Sequence, residues 1–559
     1  MCLVNVKRKR FWSRRPRRGQ WRHPEADGVP ACSLAGLVLG GRAIETSVGA
    51  KRRRLIGLGV FIEHNESTIQ RPGSASSLHP RGEGEGEVPR RAFVFRVRAA
   101  MPPKAKRTPR GDLVAPPVFA RILPENVGGH VDDGASVYKR LASWSDAAVP
   151  SDAKQARVTL VDGHGETHYA FPKRVFGPSA SQEELFREVA RPLLRTYLDA
   201  DDPQSAFVFA YGQTGTGKTY TLMGPEESLS EPKHDLRGLF PRIVDEVCAT
   251  LAARKRNHPE RVAAFALSVT AVEFYFCQGF DLLDDHAQVR VEKGELIGAR
   301  SVEVNTASDT TRVLNAVRDK RTTASTKMNP AAKTGGGSSR SHCALTLTTR
   351  VVDGAGAARA VTFTCMDLAG AERQSSNGNE NVDALEAIMS YWRDPATVKP
   401  CAQAAIINCE LSALRSAIVQ SAEAHRRGRP VAAPTQLGTA AVNYMTDVFD
   451  GRCHVANVVT LSQAPKCGWE TWFACTYAED FAKLRMPASA RSVAATPVAK
   501  LWRALDAKAR DAKEALARTP ATGHPSSKFH ARRKIEARHF AREAAAAAEL
   551  LAGTRGNGA

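Results

Sequence analysis

The stretch FAYGQTGTGKTYTLMG, residues 209–224, contains a phosphate-binding pattern of the form G-x-x-x-x-G-K-[ST]. Its fixed positions are Gly212, Gly217, Lys218 and Thr219. Glycines allow successive backbone N–H groups to turn towards phosphate oxygens, while the lysine reaches the β- and γ-phosphates and the hydroxyl ligates Mg²⁺. An apolar run of strand length precedes the pattern and a helix-compatible segment follows it. The stretch therefore predicts a nucleotide site at a strand-to-helix turn.

A second apolar run, AVTFTCMDLAG at residues 360–370, ends in an acidic residue. A phosphate-binding loop needs a carboxylate at the end of a neighbouring strand to hold the water shell of the metal ion, and Asp367 has that position. Gly370 lies three residues further on and can offer its N–H to a γ-phosphate. The alternative for Asp367 is a helix N-cap, a common role for aspartate. Beside the phosphate-binding pattern, the metal role is favoured.

The charge divides the chain into three segments. Lys and Arg outnumber Asp and Glu by 24 to 8 over residues 1–110 and by 14 to 6 over 487–559, whereas the count is 41 to 44 over 111–486. In the middle segment, apolar runs of strand length alternate with helical patterns, and several strands are apolar throughout. Such strands are typical of a sheet covered on both faces, so the predicted fold class is α/β.

The two flanks differ in pattern. Residues 1–110 mix Arg clusters with a Gly/Glu run and show no sustained period, so we predict a disordered basic extension. Its Arg clusters fit a localisation segment or a nucleic-acid contact, but a solvated tail, or an extension ahead of a true start at Met101, is favoured. Residues 487–559 form a basic, Ala/Arg-rich tail with helical stretches predicted near 498–518 and 531–551. The tail lacks the heptads of a long coiled coil.

Cysteine usage and hydropathy bear on the compartment. The 11 cysteines show no C-x-x-C pair or metal-ligand spacing, which favours a reducing, intracellular environment. The apolar stretches near the N-terminus fall short of the roughly 18–20 residues that span a bilayer, so no transmembrane helix is predicted.

The sequence resembles the kinesin motor domain over most of its middle segment. Residues 209–224 resemble the kinesin P-loop, SSRSH at 338–342 resembles its switch I, and DLAGAER at 367–373 resembles its switch II, with Ala371 in place of the usual serine. INCELSALRSAI at 407–418 is similar to the family pattern NKSLSALG. The resemblance implies a kinesin-type P-loop NTPase with a central, mostly parallel sheet flanked by helices. It also implies ATP hydrolysis with Mg²⁺, coupled to microtubule binding and movement.

The resemblance implies roles for individual residues. Ser338 and Ser339 would contact the γ-phosphate and Mg²⁺, and Arg340 and Glu372 would form a salt bridge that closes the pocket and orders the attacking water. An ordinary surface pair worth under about 1 kcal/mol is the alternative for Arg340 and Glu372, and it is disfavoured because both lie in the switch motifs. The predicted catalytic residues are Lys218, Ser338, Ser339, Arg340, Gly370 and Glu372.

The adenine would lie near Arg121 and Pro124 of RILP, with Tyr220 as a stacking face. The predicted nucleotide-binding residues are Arg121, Pro124, Gly212, Gln213, Thr214, Gly215, Thr216, Gly217, Lys218, Thr219 and Tyr220. The predicted metal ligands are Thr219, Ser339 and Asp367.

Four departures from the family pattern concern the base, switch I and the track. Leu123 stands where the family has a second arginine, switch I is lengthened by PAAKTGGG at 330–337, and residues 379–400 add material after switch II. PVAAPTQLGTAAVNYM at 430–445 replaces the charged family stretch PYRDSKLTRLL. Arg426, Arg427 and Arg429 lie just upstream and offer either a substitute contact to acidic tubulin or a solvated helix end.

These observations favour an ATP-hydrolysing microtubule motor located on the cytoskeleton in the cytoplasm, and the Arg-rich extension leaves the nucleus open. The alternative is a non-motile kinesin-fold protein that binds microtubules or another partner with weak or uncoupled ATPase. A nucleic-acid-binding protein acting through the basic flanks is disfavoured, because no aromatic-basic constellation accompanies the charge. A stable homodimer is not predicted.

Overall fold

The computed structural model describes residues 113–125, 127, 139–145, 156–231, 234–328, 340–370, 382–393, 400–429, 438–487, 493–522, 524, 526 and 529–555. The predicted disordered extension, residues 1–110, lies outside the described residues. Within the described ranges, no helix combines the length and the apolar character needed to cross a membrane.

Strands make up the centre of the molecule. They are β1 (Leu113–Val114), β2 (Val118–Ile122), β3 (Lys139–Ser145), β4 (Ala156–Asp162), β5 (Gly165–Phe171), β6 (Arg174–Phe176), β7 (Ala206–Tyr211), β8 (Ala264–Tyr275), β9 (Gln278–Asp281), β10 (Ala287–Glu292), β11 (Glu295–Ile297), β12 (Val302–Glu303), β13 (His342–Val352), β14 (Ala357–Asp367), β15 (His454–Leu461), β16 (Met486–Pro487) and β17 (Thr496–Pro497). The main sheet has the order β11-β10-β9-β8-β13-β14-β7-β15-β2-β6, with β12 beside β8 and β17 beside β14.

The sheet is mixed, which corrects the expectation of a mostly parallel one. Pairing is parallel from β14 through β7, β15 and β2 to β6. It is antiparallel from β11 through β10, β9, β8 and β13 to β14. The reason is connection length: a four-residue turn at 353–356 joins β13 to β14, and so short a link reverses the chain, whereas parallel neighbours need a long crossover.

Helices cover both faces of this sheet, as predicted for the α/β class. They are α1 (Gln182–Leu185), α2 (Arg191–Tyr197), α3 (Lys218–Leu222), α4 (Leu239–Asn257), α5 (Ala307–Met328), α6 (Ala384–Arg393), α7 (Pro400–Arg426), α8 (Ala440–Tyr444), α9 (Thr446–Phe449), α10 (Gly468–Ala482), α11 (Val498–Ala517) and α12 (His530–Arg555). A π-helical turn, Phe186–Ala190, lies between α1 and α2, and 3₁₀ turns occupy Glu226–Leu229 and Pro465–Cys467.

Two hydrophobic cores lie on opposite faces of the sheet. Strand β7 contributes to both, because its side chains alternate: Phe207 and Phe209 pack with helices α7 to α10, while Val208 packs with α1, α2, α4 and α5. Every residue of β7 is buried. The strand that leads into the phosphate-binding pattern is therefore held from both sides, which fixes where that pattern begins.

The tail is helical, as predicted, and it packs on the folded domain. Helices α11 and α12 contact each other, and α12 also contacts β8, β10 and β11. Asp284 accepts hydrogen bonds from Arg538 Nη1 at 2.9 Å and Arg542 Nη2 at 3.2 Å. Glu536 accepts one from Arg290 Nη1 at 2.8 Å. The tail is thus joined to the domain by charge-assisted hydrogen bonds at a sheet edge and by an apolar cluster in which Val498 and Leu550 pack against Ala264 and Val352.

Candidate nucleotide-binding site

The phosphate-binding loop leaves β7 through a glycine that no other residue can replace without a clash. A Cβ on Gly212 would lie 2.4 Å from the backbone oxygen of Thr460 on the neighbouring strand β15. Gly217, which precedes α3, has φ of +94°, a conformation that favours glycine. Thr216 fixes the loop between them, because its Oγ1 bonds to Gln213 O at 2.6 Å and to Thr460 Oγ1 at 2.7 Å.

Lys218 closes this loop on itself. Its Nζ donates to Gly212 O and to Gln213 O, each at 2.8 Å, and the side chain is buried. A buried ammonium needs such acceptors, because burial of an unpaired charge is costly. Phosphate oxygens offer the same kind of acceptor with negative charge, so the loop presents its lysine where a phosphate would take over these bonds.

The predicted metal ligands from two separate motifs meet at the loop. In the parallel register of β7 and β14, Asp367 is level with Ala210, two residues before Gly212. Thr219 Oγ1 donates to Asp367 Oδ2 at 2.6 Å, while Asp367 Oδ1 has no hydrogen-bond partner among the described residues. A hydroxyl and a buried carboxylate oxygen are ligands of the kind that Mg²⁺ takes, directly or through its waters. These residues therefore fit a magnesium ion.

Arg321 on α5 completes this cluster, and sequence reasoning missed it. Its Nη1 donates to Asp367 Oδ2 at 2.8 Å, and the two side chains are 9% and 4% exposed. The signal was an arginine at helical spacing from buried Leu314 and Val317, on the apolar face of α5. An arginine on such a face needs a buried acidic partner.

Arg340, one of the two charged residues predicted in the switches, forms a hydrogen bond that the sequence did not predict. Arg340 Nη1 donates to Gln403 Oε1 on α7 at 3.0 Å, and Gln403 is buried. Gly370 is buried beyond the end of β14. Ser338, Ser339 and Glu372 lie outside the described residues, as does the lengthened switch I at 330–337. The salt bridge between Arg340 and Glu372 stays a prediction.

Two of the predicted base-binding residues, Arg121 and Tyr220, contact each other beside the loop. The Arg121 guanidinium is 4.9 Å from the centre of the Tyr220 ring and donates to Gln182 Oε1 at 3.0 Å and Thr221 Oγ1 at 2.9 Å. Arg121 thereby ties β2 to α1 and α3. Pro124 is exposed and Leu123 is buried. The arginine and tyrosine thus form one face beside Gly217, where an adenine ring would stack.

Comparison with known proteins places this geometry in context. The family model "Kinesin motor domain" matches residues 138–484, more than half of the chain. The chain is 30% identical over 279 residues to kinesin-like protein KIF15 of Mus musculus, a match covering 48% of this chain and 18% of the relative. It is 33% identical over 218 residues to kinesin-like protein KIN-12A of Arabidopsis thaliana, covering 36% of this chain and 16% of the relative. The matches therefore span less than a fifth of these curated relatives.

Solved structures show the same fold. A KIF14 dimer with AMP-PNP in complex with a microtubule matches with a TM-score of 0.53 at 20% identity, covering 68% of this chain and 97% of that one. A structure described as a fast kinesin matches with a TM-score of 0.52 at 23% identity, covering 68% of this chain and 94% of that one.

Proposed function

The chain belongs to the kinesin motor-domain family, and from that premise we propose that it hydrolyses ATP with Mg²⁺ and couples turnover to microtubule binding and movement. The observation that carries the proposal is the 2.6 Å bond between Thr219 and Asp367 beneath a glycine loop that contains Lys218. Two motifs 148 residues apart in sequence meet there with the residue types that phosphoryl transfer needs. The proposed domain covers residues 111–486 and the proposed location is the cytoskeleton.

The chain's own residues account for substrate binding. Lys218 exchanges the carbonyls of Gly212 and Gln213 for β- and γ-phosphate oxygens, which are better acceptors because they are charged. The loop N–H groups hold the remaining phosphate oxygens, and Arg121 and Tyr220 flank the base. Thr219 and Asp367 would hold Mg²⁺, joined in our proposal by Ser339. The bound ion would neutralise charge on the phosphates during transfer.

Sensing of the γ-phosphate falls to residues at the ends of β13 and β14. Gly370 offers its N–H, and Ser338 contacts the terminal phosphate. Arg340 Nη1 is bonded to Gln403, and the guanidinium has further N–H groups with which it would pair with Glu372. A pair that forms only with the γ-phosphate bound would give the site two alternative arrangements.

A specific observation favours the non-motile alternative. The upstream arginines that could replace the family's charged track contacts are partly engaged, since Arg426 and Arg427 both pair with Glu423 on α7. Their charge is then partly cancelled at the end of the helix. A weaker attraction for an acidic filament follows, and with it weaker coupling of ATPase to the track.

Steady-state ATP hydrolysis by the full chain, with and without polymerised microtubules, tests the proposal. We expect turnover that microtubules stimulate and that Glu372→Ala and Asp367→Asn both abolish. Arg510→Ala is the matched control, because within the described part of the tail Arg510 pairs only with Asp506 of the same helix, α11. Turnover that microtubules leave unchanged supports the non-motile alternative, and absence of ATP binding refutes both.

A further inference from the structure

A buried glutamate without a hydrogen bond of normal geometry lies near the nucleotide site. Glu410 on α7 is 1% exposed, and neither of its carboxyl oxygens has a hydrogen-bond partner among the described residues. Burial raises the pKa of Glu410 to about 8, and the backbone N–H of Phe276, which is near the carboxyl but does not form a hydrogen bond of normal geometry with it, offsets part of that rise. In the stretch INCELSALRSAI, Glu410 occupies the position of a serine in the family pattern NKSLSALG. This carboxyl is therefore a feature of the present chain.

The group that faces it is a buried histidine at the start of β13. His342 Nε2 lies 3.8 Å from Glu410 Oε2, and His342 is also 1% exposed. Its Nδ1 accepts the backbone N–H of Ala369 at 3.0 Å. Burial lowers the pKa of His342 to about 4, so the ring is neutral. A neutral ring that accepts at Nδ1 carries its hydrogen on Nε2, which points the donor towards Glu410.

Donor and acceptor therefore face each other across a gap too long for a hydrogen bond. The 3.8 Å separation exceeds a normal N–H···O distance by roughly 1 Å. His342 Nε2 and both Glu410 oxygens are without partners in the described part of the chain. His342 Nε2 and the Glu410 carboxyl are both buried without a hydrogen bond of normal length, so closing the gap lowers the free energy of the pair. Closure needs only a small displacement of α7 or of β13.

Among the described residues, the titratable groups that face Glu410 offer no second contact of this kind, and the nearby charge of Arg340 acts on Tyr275. Tyr275 and Cys277 at the end of β8, Tyr391 on α6 and Cys409 on α7 all feel the charge of Glu410, and burial raises the pKa of each. They stay neutral near pH 7. On the side of His342, the charged groups are Asp367, Arg321 and Lys218, which belong to the nucleotide site.

We propose that Glu410 is a positioning residue that couples the nucleotide site to helix α7 through His342. Ala369, whose N–H holds the imidazole, lies between Asp367 and Gly370, so a shift of this loop on γ-phosphate binding carries His342 with it. The Nε2–H···Oε2 bond then forms and draws the middle of α7 towards the site. The inference rests on the proposed function only in requiring that nucleotide binds at the loop.

Three substitutions separate this coupling from a packing role. Glu410→Gln keeps an oxygen that can accept from Nε2, Glu410→Leu keeps similar volume without an acceptor, and Glu410→Ser introduces the family residue. Glu423→Gln is the control, because Glu423 lies on the same helix but is only partly buried and pairs with Arg426 and Arg427. Each full-length variant is first compared with the wild-type chain by circular dichroism and thermal melting.

The test measures hydrogen exchange of α7 in full-length chains saturated with Mg-ADP or with a non-hydrolysable Mg-ATP analogue. In the wild-type chain, in Glu410→Gln and in Glu423→Gln, we expect the analogue to slow exchange over residues 402–415 by at least about fivefold relative to ADP. In Glu410→Leu and Glu410→Ser, the two nucleotides should give equal exchange. The wild-type difference should grow above pH 8, where an ionised carboxylate accepts a stronger bond, whereas that of Glu410→Gln should not.

Calorimetric titration of the same nucleotides distinguishes the two ways of failing. The coupling is overturned if both nucleotides bind tightly but give the same α7 exchange as each other in the wild-type chain as well as in Glu410→Leu. The proposed function is left standing by that result. A wild-type chain that binds neither nucleotide overturns both. A nucleotide-dependent difference that persists undiminished in Glu410→Leu and Glu410→Ser shows that α7 responds through other contacts and refutes the role of Glu410.

Discussion

Replacing Arg321 with methionine tests whether Asp367 is held as a ligand for a cation. The Arg321–Asp367 contact is 2.8 Å long and nearly solvent-free, and removal of one partner from a buried pair costs about 3–5 kcal/mol because the other charge stays buried. We expect Arg321→Met to lower the free energy of unfolding of the nucleotide-free chain by that amount. Urea titration followed by circular dichroism measures it.

The same variant should recover stability when a cation is supplied. In the proposed function the magnesium ion of Mg-ADP would lie beside Asp367, and a ligand at a hundred times its dissociation constant stabilises the chain it binds by about 2.7 kcal/mol. In Arg321→Met alone, the bound ion also offsets the charge of the unpaired Asp367 carboxylate, which adds to this stabilisation. The difference in free energy of unfolding between variant and wild type should therefore narrow with Mg-ADP. Arg321→Met combined with Asp367→Asn should cost less than the sum of the two single changes.

A matched ion pair outside the site supplies the control. Arg350 donates to Glu543 at 2.8 Å, with side chains 16% and 30% exposed, and it joins β13 to α12. Arg350→Met should destabilise the chain by about 1 kcal/mol or less, with no change on addition of Mg-ADP. If Arg321→Met costs under about 1 kcal/mol, or if its gap from wild type widens with Mg-ADP, the pairing of Asp367 with a cation is not what stabilises the site.

Three further predictions concern other parts of the fold. Asn457→Leu should raise the free energy of unfolding by about 1–3 kcal/mol in urea titrations, because the fully buried Asn457 side-chain amide on β15 has no hydrogen-bond partner among the described residues. The control Asn305→Leu, at an exposed position, should change that free energy by less than about 0.5 kcal/mol. Asp284→Asn should speed tryptic cleavage between α11 and α12 and make that cleavage less dependent on salt, since Asp284 holds Arg538 and Arg542; unchanged cleavage would contradict the bracing role. The folded-state pKa of Glu410 is raised to about 8 from an ordinary value of 4.5, so the unfolded chain loses this proton at lower pH than the folded chain. The contribution of the protonated Glu410 to stability is therefore complete below pH 4.5 and is lost as pH rises towards 8. Glu410→Gln should flatten the dependence of the free energy of unfolding on pH over that window.

The sequence predicted those parts of the site that come from continuous motifs. Gly212, Gly217, Lys218 and Thr219 share one short stretch, and their geometry follows from a buried strand and a tight turn. Asp367 was found because it ends an apolar strand, and the parallel register with β7 brings it to the loop. In each case a local pattern fixes the position of a residue along a strand, and the pairing of strands in the sheet then brings that residue to the loop.

Residues that reach the site from separate elements could not be placed in this way. Arg321, Gln403 and Glu410 come from two helices whose distance from the loop depends on packing against the sheet. The antiparallel half of the sheet was predictable in part. Asp353-Gly354 lies between two apolar runs, and a DG dipeptide in that setting indicates a hairpin, which is what joins β13 to β14.

The position of Asp367 gives a physical reason why the site can communicate with its surroundings. Its Oδ2 accepts from both Thr219 and Arg321, while Oδ1 is left without a partner among the described residues. A metal ion or its water can therefore engage Oδ1 without breaking either existing bond. Any rotation of the carboxylate that improves the metal contact must then strain the bonds on Oδ2. Because those bonds lead to α3 on one side and α5 on the other, we expect occupancy of the phosphate loop to be transmitted to α5, the helix that precedes the predicted switch I in the sequence.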